Sequence, residues 1–138
     1  MRRLTALLLV FAASVTFAAC GGDSSTSPAT ASVAGTYTLR TLNGSPLPFT
    51  LIQLGADKFE ITADAVTLKE GGTWTESGTT RLTESGKVTT SPSTDAGTYT
   101  RNGTAITLVS PASGTISGSL DGGTMTLSQD GLAAVYTK

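Results

Sequence analysis

Between Gly35 and Lys138 the chain never runs far without a turn signal. Asn43-Gly44, Glu70-Gly71-Gly72, Ser85-Gly86, Asn102-Gly103, Asp121-Gly122-Gly123 and Asp130-Gly131 punctuate it, and the short strands expected across these residues recur at roughly 8–12-residue spacing. Few intervals are long enough for a helix with an apolar stripe. What fills them alternates instead. Tyr37 and Leu39, Val66 and Leu68, and Ile106 and Leu108 each stand two apart, and residues two apart share one face of a strand. Threonine supplies 24 of the 119 residues after Ala19. Its branched side chain suits a half-exposed pleated surface. The chain is all-β.

Taken in order, strands are expected over 36–41, 46–54, 58–61 running into 65–69, 73–76 and 79–83 (one bent strand or two), and 87–90. Residues 91–95 (SPSTD) read as a loop. Gly97 to Arg101 and Ala105 to Val109 flank Asn102-Gly103, a pair that predicts a hairpin with a type I′ turn because both residues tolerate positive φ. Strands over 115–120, with Ile116 and Leu120 on one face, 124–127 and 132–137 complete eight to ten. A meander of so many short strands must manage two edges, and closing the sheet removes them. The expected fold is a small antiparallel up-and-down barrel, with a two-sheet β-sandwich as the alternative.

Gly35-Thr36-Tyr37, Val66-Thr67-Leu68, Gly72-Thr73-Trp74, Gly97-Thr98-Tyr99-Thr100 and Ile106-Thr107-Leu108 together resemble the lipocalin-like domains of short bacterial lipoproteins. The resemblance spans about residues 35–137. It implies a barrel that encloses a small ligand, with Tyr37 where lipocalins carry a tryptophan.

The first nineteen residues are of another kind. Met1-Arg2-Arg3 is basic and Leu4 to Phe17 almost wholly apolar, with Ala18-Ala19-Cys20-Gly21 following. That is the layout of an export signal. The sixteen residues from Leu4 to Ala19 fall short of the ~20 that span a bilayer. Phe17-Ala18-Ala19-Cys20-Gly21 resembles the lipoprotein signal, which implies cleavage before Cys20 and acylation of its thiol. More than one acyl chain holds a protein stably on a membrane, and Gly21 after the cysteine implies an outer-membrane address. The chain therefore divides into a signal over 1–19, a lipidated flexible tether over 20–34 (CGGDSSTSPATASVA) and a barrel domain over 35–138.

Composition narrows the chemistry. Beyond Ala19 there are 7 basic and 10 acidic residues, so no basic face exists for nucleic acid. With no histidine and one cysteine, no Ser-His-Asp or Cys-His arrangement, disulfide or histidine metal site can be built. Acid–base chemistry is left to carboxylates, lysine and tyrosine. Asp57 and Glu70 sit at turns. Glu60 and Asp64 share a strand spacing, as do Trp74 and Glu76, and such spacings are those of any solvated face. No catalytic residue, metal site or cofactor is expected. Trp74, Tyr37, Phe59 and Tyr99 are the candidates to line a ligand cavity, with Trp74 equally the largest residue of a filled core. Buried tyrosine hydroxyls need partners, and threonine hydroxyls are the expected ones. Two functions follow: a lipid-anchored envelope module that binds a small hydrophobic ligand, or a structural module with a filled core that meets another envelope protein.

Overall fold

A computed structural model describes residues 32–138. The signal, Cys20 and most of the tether lie outside the described residues. The order is β1 (Gly35–Leu42), β2 (Ser45–Pro46), β3 (Phe49–Leu54), β4 (Asp57–Leu68), β5 (Thr73–Glu84), β6 (Lys87–Asn102), β7 (Ala105–Ser110), β8 (Gly114–Asp121), β9 (Thr124–Gln129) and β10 (Leu132–Thr137). From β3 to β10 each strand pairs antiparallel with the next.

β1 closes the sheet. Its first residues pair with the end of β4 (Gly35↔Leu68 to Thr38↔Ala65), and its later ones with β10 (Leu39↔Tyr136, Leu42↔Ala134). β1 and β4 to β10 thus form a closed eight-stranded barrel, which settles the choice between barrel and sandwich. We call the end where β1 begins the entry end, and the end where it finishes the far end.

Four hairpins follow the turn chemistry their sequence demands, Gly122-Gly123 with φ of 59° and 112° among them. Asn43 and Gly44 have φ of 48° and 78°, Ser85 and Gly86 of 50° and 78°, and Asp130 and Gly131 of 51° and 81°. Two consecutive positive φ values are the mark of a type I′ turn, whose twist matches the flanking strands. Asn102-Gly103 departs from expectation. Asn102 pairs with Ala105 as the last rung of the ladder, so the turn is Gly103-Thr104, with Gly103 alone at positive φ (61°). That rules out type I′, which needs two.

The larger correction concerns residues 91–95, which are strand and not loop. β6 runs unbroken for sixteen residues, pairing with β5 from Thr73↔Thr98 to Glu84↔Lys87. β7 pairs only with Thr98 to Asn102, so the first part of β6 is an edge. An edge tolerates Pro92, whose missing N–H is needed only where strands flank both sides. The same happens across the sheet. β3 takes the place of β1 beside the first half of β4 (Phe49↔Ile61 to Leu54↔Asp57). β3 and the adjoining halves of β4, β5 and β6 therefore continue beyond the barrel's far rim as a four-stranded flap.

A bulge at Thr62 bends β4 where barrel becomes flap. Ile61 pairs with Thr80 and Ala63 with Thr79, so the face-to-face alternation slips by one residue. Ile61 and Phe59 therefore continue the interior face that Asp64, Val66 and Leu68 occupy after the bulge. Glu60 is turned outward. Glu60 and Asp64 do not share a face.

The core is densest toward the entry end. Tyr37, Leu68, Trp74, Ile106, Leu108, Leu120 and Met125 are all at 2% exposure or less. Trp74 lies across the inside of β6 opposite Gly97, donating from Nε1 to the Thr98 carbonyl at 3.0 Å. A Cβ on Gly97 would run into the Val109 carbonyl and sit 3.0 Å from the indole nitrogen. Val33, placed by the sequence in the tether, packs against this core, and its carbonyl accepts the Tyr37 hydroxyl at 2.7 Å. The domain thus begins at least two residues before Gly35.

Candidate functional site

Hollows of more than 200 Å³ lie at the entry end, on the flap and inside the barrel. One of about 280 Å³ lies at the entry end between Tyr37, Arg101 and Lys138, where the chain enters the domain. A second, about 250 Å³, lies on the flap between Ile52, Leu54, Phe59 and Leu82. The third, about 210 Å³, is inside the barrel at its far end, and it is the candidate site. Leu39, Leu42, Trp74, Leu108 and Ile116 wall it, and Asp64, Glu76 and Tyr136 also line it. An apolar hollow with a few inward polar groups is the usual form of a small-molecule site, though most run from about 300 Å³ upward. This one has room for no more than a small molecule.

The carboxylates come to the interior through register. Glu76 stands directly opposite Asp95 and one rung from Asp64, which pairs with Gly78. The missing Cβ of Gly78 leaves room for the Ser93 hydroxyl, which an added Cβ would meet at 2.5 Å before approaching Asp64 Oδ1 to 3.6 Å. Three acidic residues on three neighbouring strands so face one interior, where like charges disfavour ionisation. No lysine or arginine lines the hollow.

Each acid settles differently. Asp64 accepts the Tyr136 hydroxyl on Oδ2 at 2.7 Å. Burial pushes its pKa up, and that hydrogen bond only partly offsets it. The tyrosine is pushed up as well, by burial and by the neighbouring carboxylate. Asp95 accepts from Ser110 Oγ at 2.6 Å and from the Ala96 backbone. Against the effect of burial, these bonds hold it below the usual carboxylate range. Glu76 has no such partners. Burial first, then the charges of Asp64 and Asp95, push it up to about 7. Asp64 Oδ1 and Asp95 Oδ2 are buried with no hydrogen-bond partner among the described residues. The site can therefore take up a proton near neutrality, and its side-chain donors Tyr136 and Gln129 are already engaged with Asp64 and the Ser113 carbonyl.

Of the four residues expected to line one cavity, only Trp74 does so. Tyr37 belongs to the entry-end hollow and Phe59 to the flap. Tyr99 packs on the core, its hydroxyl donating to the Lys69 carbonyl at 3.0 Å. Tyr37, Tyr99 and Tyr136 find backbone carbonyls and a carboxylate as partners, not threonine hydroxyls. Sequence reasoning placed Asp64 and Glu76 on a solvated face and Asp95 in a loop. The alternation Asp95, Gly97, Tyr99 was the available signal, since it carries the inward face of β6 straight through.

No family model matches the sequence, and no curated protein matches it either. Among solved structures, a lipocalin-like protein from Bacteroides uniformis is similar to it, at 16% identity and a TM-score of 0.39, over 76% of this chain and 96% of that one. At that score the likeness adds nothing to the strand pairings, from which the barrel itself follows.

Proposed function

We propose that this is a non-enzymatic binding module of the cell envelope, held to the membrane by acyl chains on Cys20 and carrying one small, largely apolar molecule at the far end of its barrel. The hollow of about 210 Å³ beside Trp74 is the observation that carries the reading. The basic start, apolar run and Ala18-Ala19-Cys20 support the anchor. An interior without histidine, cysteine or lysine, in which the hydroxyls beside the carboxylates, Ser110 and Tyr136, donate to them, supports binding over catalysis.

Trp74 reports on the hollow it lines. Titration with small aromatic and aliphatic molecules is expected to change its emission saturably, and native mass spectrometry of freshly purified protein to show a bound small molecule. Silence from Trp74 across such a panel would overturn the reading. For the anchor, Cys20→Ser is expected to move the protein from the membrane to the aqueous fraction and to abolish labelling by palmitate.

One observation favours the second reading, an interaction module. Leu54, Ile52, Val88 and Leu82 are 76, 58, 59 and 43% exposed, and all lie on the flap. Leu54, Ile52 and Leu82 share one face of it around Phe59, and an exposed apolar patch of that kind suits contact with another protein.

A further inference from the structure

The reading of the far-end hollow as a binding site leaves its guest undefined beyond size. We infer that the guest is a small organic cation: one apolar ring or short chain carrying a protonated amine, with the ring in the hollow and the ammonium against Asp64 and Glu76. This rests on the proposed binding role and narrows it.

The walls select the first half of that description. Leu39, Leu42, Leu108 and Ile116 are apolar, and Trp74 presents an aromatic surface. A dry apolar cavity of about 150 Å³ holds benzene, so about 210 Å³ holds one ring with a short substituent and little more. A long acyl chain does not fit.

The second half follows from what faces the hollow and what does not. Going round the barrel, β4 brings Asp64, β5 Glu76, β9 Gln129, the turn after it Asp130, and β10 Tyr136. Asp95 on β6 stands behind these, opposite Glu76 and tied to Ser110. The cations are elsewhere. Lys58 and Arg81 are occupied with Glu60 on the outer face, and Arg101 and Lys138 belong to the entry end. Low-dielectric walls focus the field of such an unbalanced set into the cavity. Burying carboxylates without a counter-charge is unfavourable, and a guest cation is the group that removes the imbalance. Asp64 lines the hollow, and its Oδ1, buried and unpartnered, is an acceptor for which an ammonium supplies a donor. A metal ion does not suit the same acids, because among the described residues no three converge as its ligands must. An anionic or donor-free guest would leave that oxygen as it is.

The experiment uses matched guests on the full chain: benzylamine, benzyl alcohol and benzoate, followed by calorimetry and Trp74 emission at pH 8. Benzylammonium is expected to bind at least tenfold more tightly than benzyl alcohol, and benzoate more weakly than either. In Glu76→Gln, and separately in Asp64→Asn, the amine is expected to lose most of its advantage while the alcohol binds as before. Unchanged alcohol binding shows that the variants keep the cavity. In the wild type the amine's affinity is expected to rise from pH 6 to pH 8 while the amine stays protonated, and to stay flat in Glu76→Gln. Equal affinity for amine and alcohol, or an advantage that survives both substitutions, would overturn the cationic guest and leave the binding role standing. No binding of any of the three would overturn both.

Discussion

The two ends of this barrel are built from the same alternating strands and packed to opposite standards. Toward the entry end the interior is filled by Tyr37, Leu68, Trp74, Ile106, Leu120 and Met125, none more than 2% exposed. Toward the far end the inward positions pass to Ile61, Asp64, Glu76 and Ala134, all half-buried, around a hollow of about 210 Å³. Eight strands enclose just enough room for side chains or for one small guest. Here one barrel does each at a different height. In the filled half the inward positions are aliphatic or aromatic, and the hollow half has carboxylates where packing alone would put leucine.

Truncation should separate the halves most sharply. Trp74→Ala is expected to cost about 3–5 kcal/mol, the range for emptying a large aromatic from a packed core, and it also strands the Thr98 carbonyl that Nε1 now satisfies. Leu132→Ala, half-buried at the rim of the hollow, is expected to cost no more than about 1 kcal/mol, since little area leaves contact with neighbours. Urea denaturation of both variants measures the gap. Comparable losses would mean that the far end is packed as tightly as the entry end.

Titration gives a middle-sized effect and sets the two faces of the sheet apart. Glu76 is raised from its ordinary 4.5 to about 7 in the folded protein. Its contribution to stability is therefore complete below about 4.5 and is lost as pH climbs through about 7. The loss is about 1–2 kcal/mol, allowing for solvent at the open mouth. Glu76→Gln should recover that amount at pH 8 and flatten the slope between these values. Glu60, outside, has the opposite sign. Burial opposes its ionisation, but hydrogen bonds from Arg81 and Lys58 prevail and hold it below 4.5. Arg81 Nη2 lies 2.8 Å from Oε2 and Lys58 Nζ 3.2 Å from Oε1. Its share of stability is present above 4.5 and fades as pH falls through its lowered value. Stability profiles of Glu60→Gln and Glu76→Gln that changed in the same direction would contradict this placement.

These contrasts also mark what a reader of the sequence can reach. Turn pairs such as Asn43-Gly44 and Asp130-Gly131 act locally, so hairpins and strand count were legible, and so was Trp74 in the interior. Closure was expected from the edges it removes, but which strands meet to close the sheet was not legible, because a strand's alternation is the same in a sandwich and in a barrel. It depends on where β1 finds β4, a contact between residues some thirty apart in the chain. The acidic wall was hidden for a sharper reason. Read as an unbroken period of two, β4 puts Glu60 and Asp64 on one side, and the extra residue at Thr62 reverses that. Tyr37, Phe59 and Tyr99 were grouped by type. Position along the strand separates them, since inward residues at different heights of a barrel never meet.

The smallest effects test where the comparison ends. The flap's inner face continues that of the far end through Ile61, Phe59 and Leu54. Exposure rises outward along it, from Ile61 packed on the core to Leu54 at 76%. If packing alone sets each residue's worth, substitution should cost progressively less along this line. Ile61→Ala is expected to cost about 2 kcal/mol as a partly buried aliphatic, Phe59→Ala about 1 kcal/mol for its half-covered ring, and Leu54→Thr less than about 0.5 kcal/mol, as at other surface positions. Denaturation midpoints for the three, with slopes held equal, measure the gradient. Should Leu54→Thr cost as much as Ile61→Ala, the flap would have to be folded against something in solution, and sedimentation of the wild type over a concentration series would show whether that is a second copy of the chain.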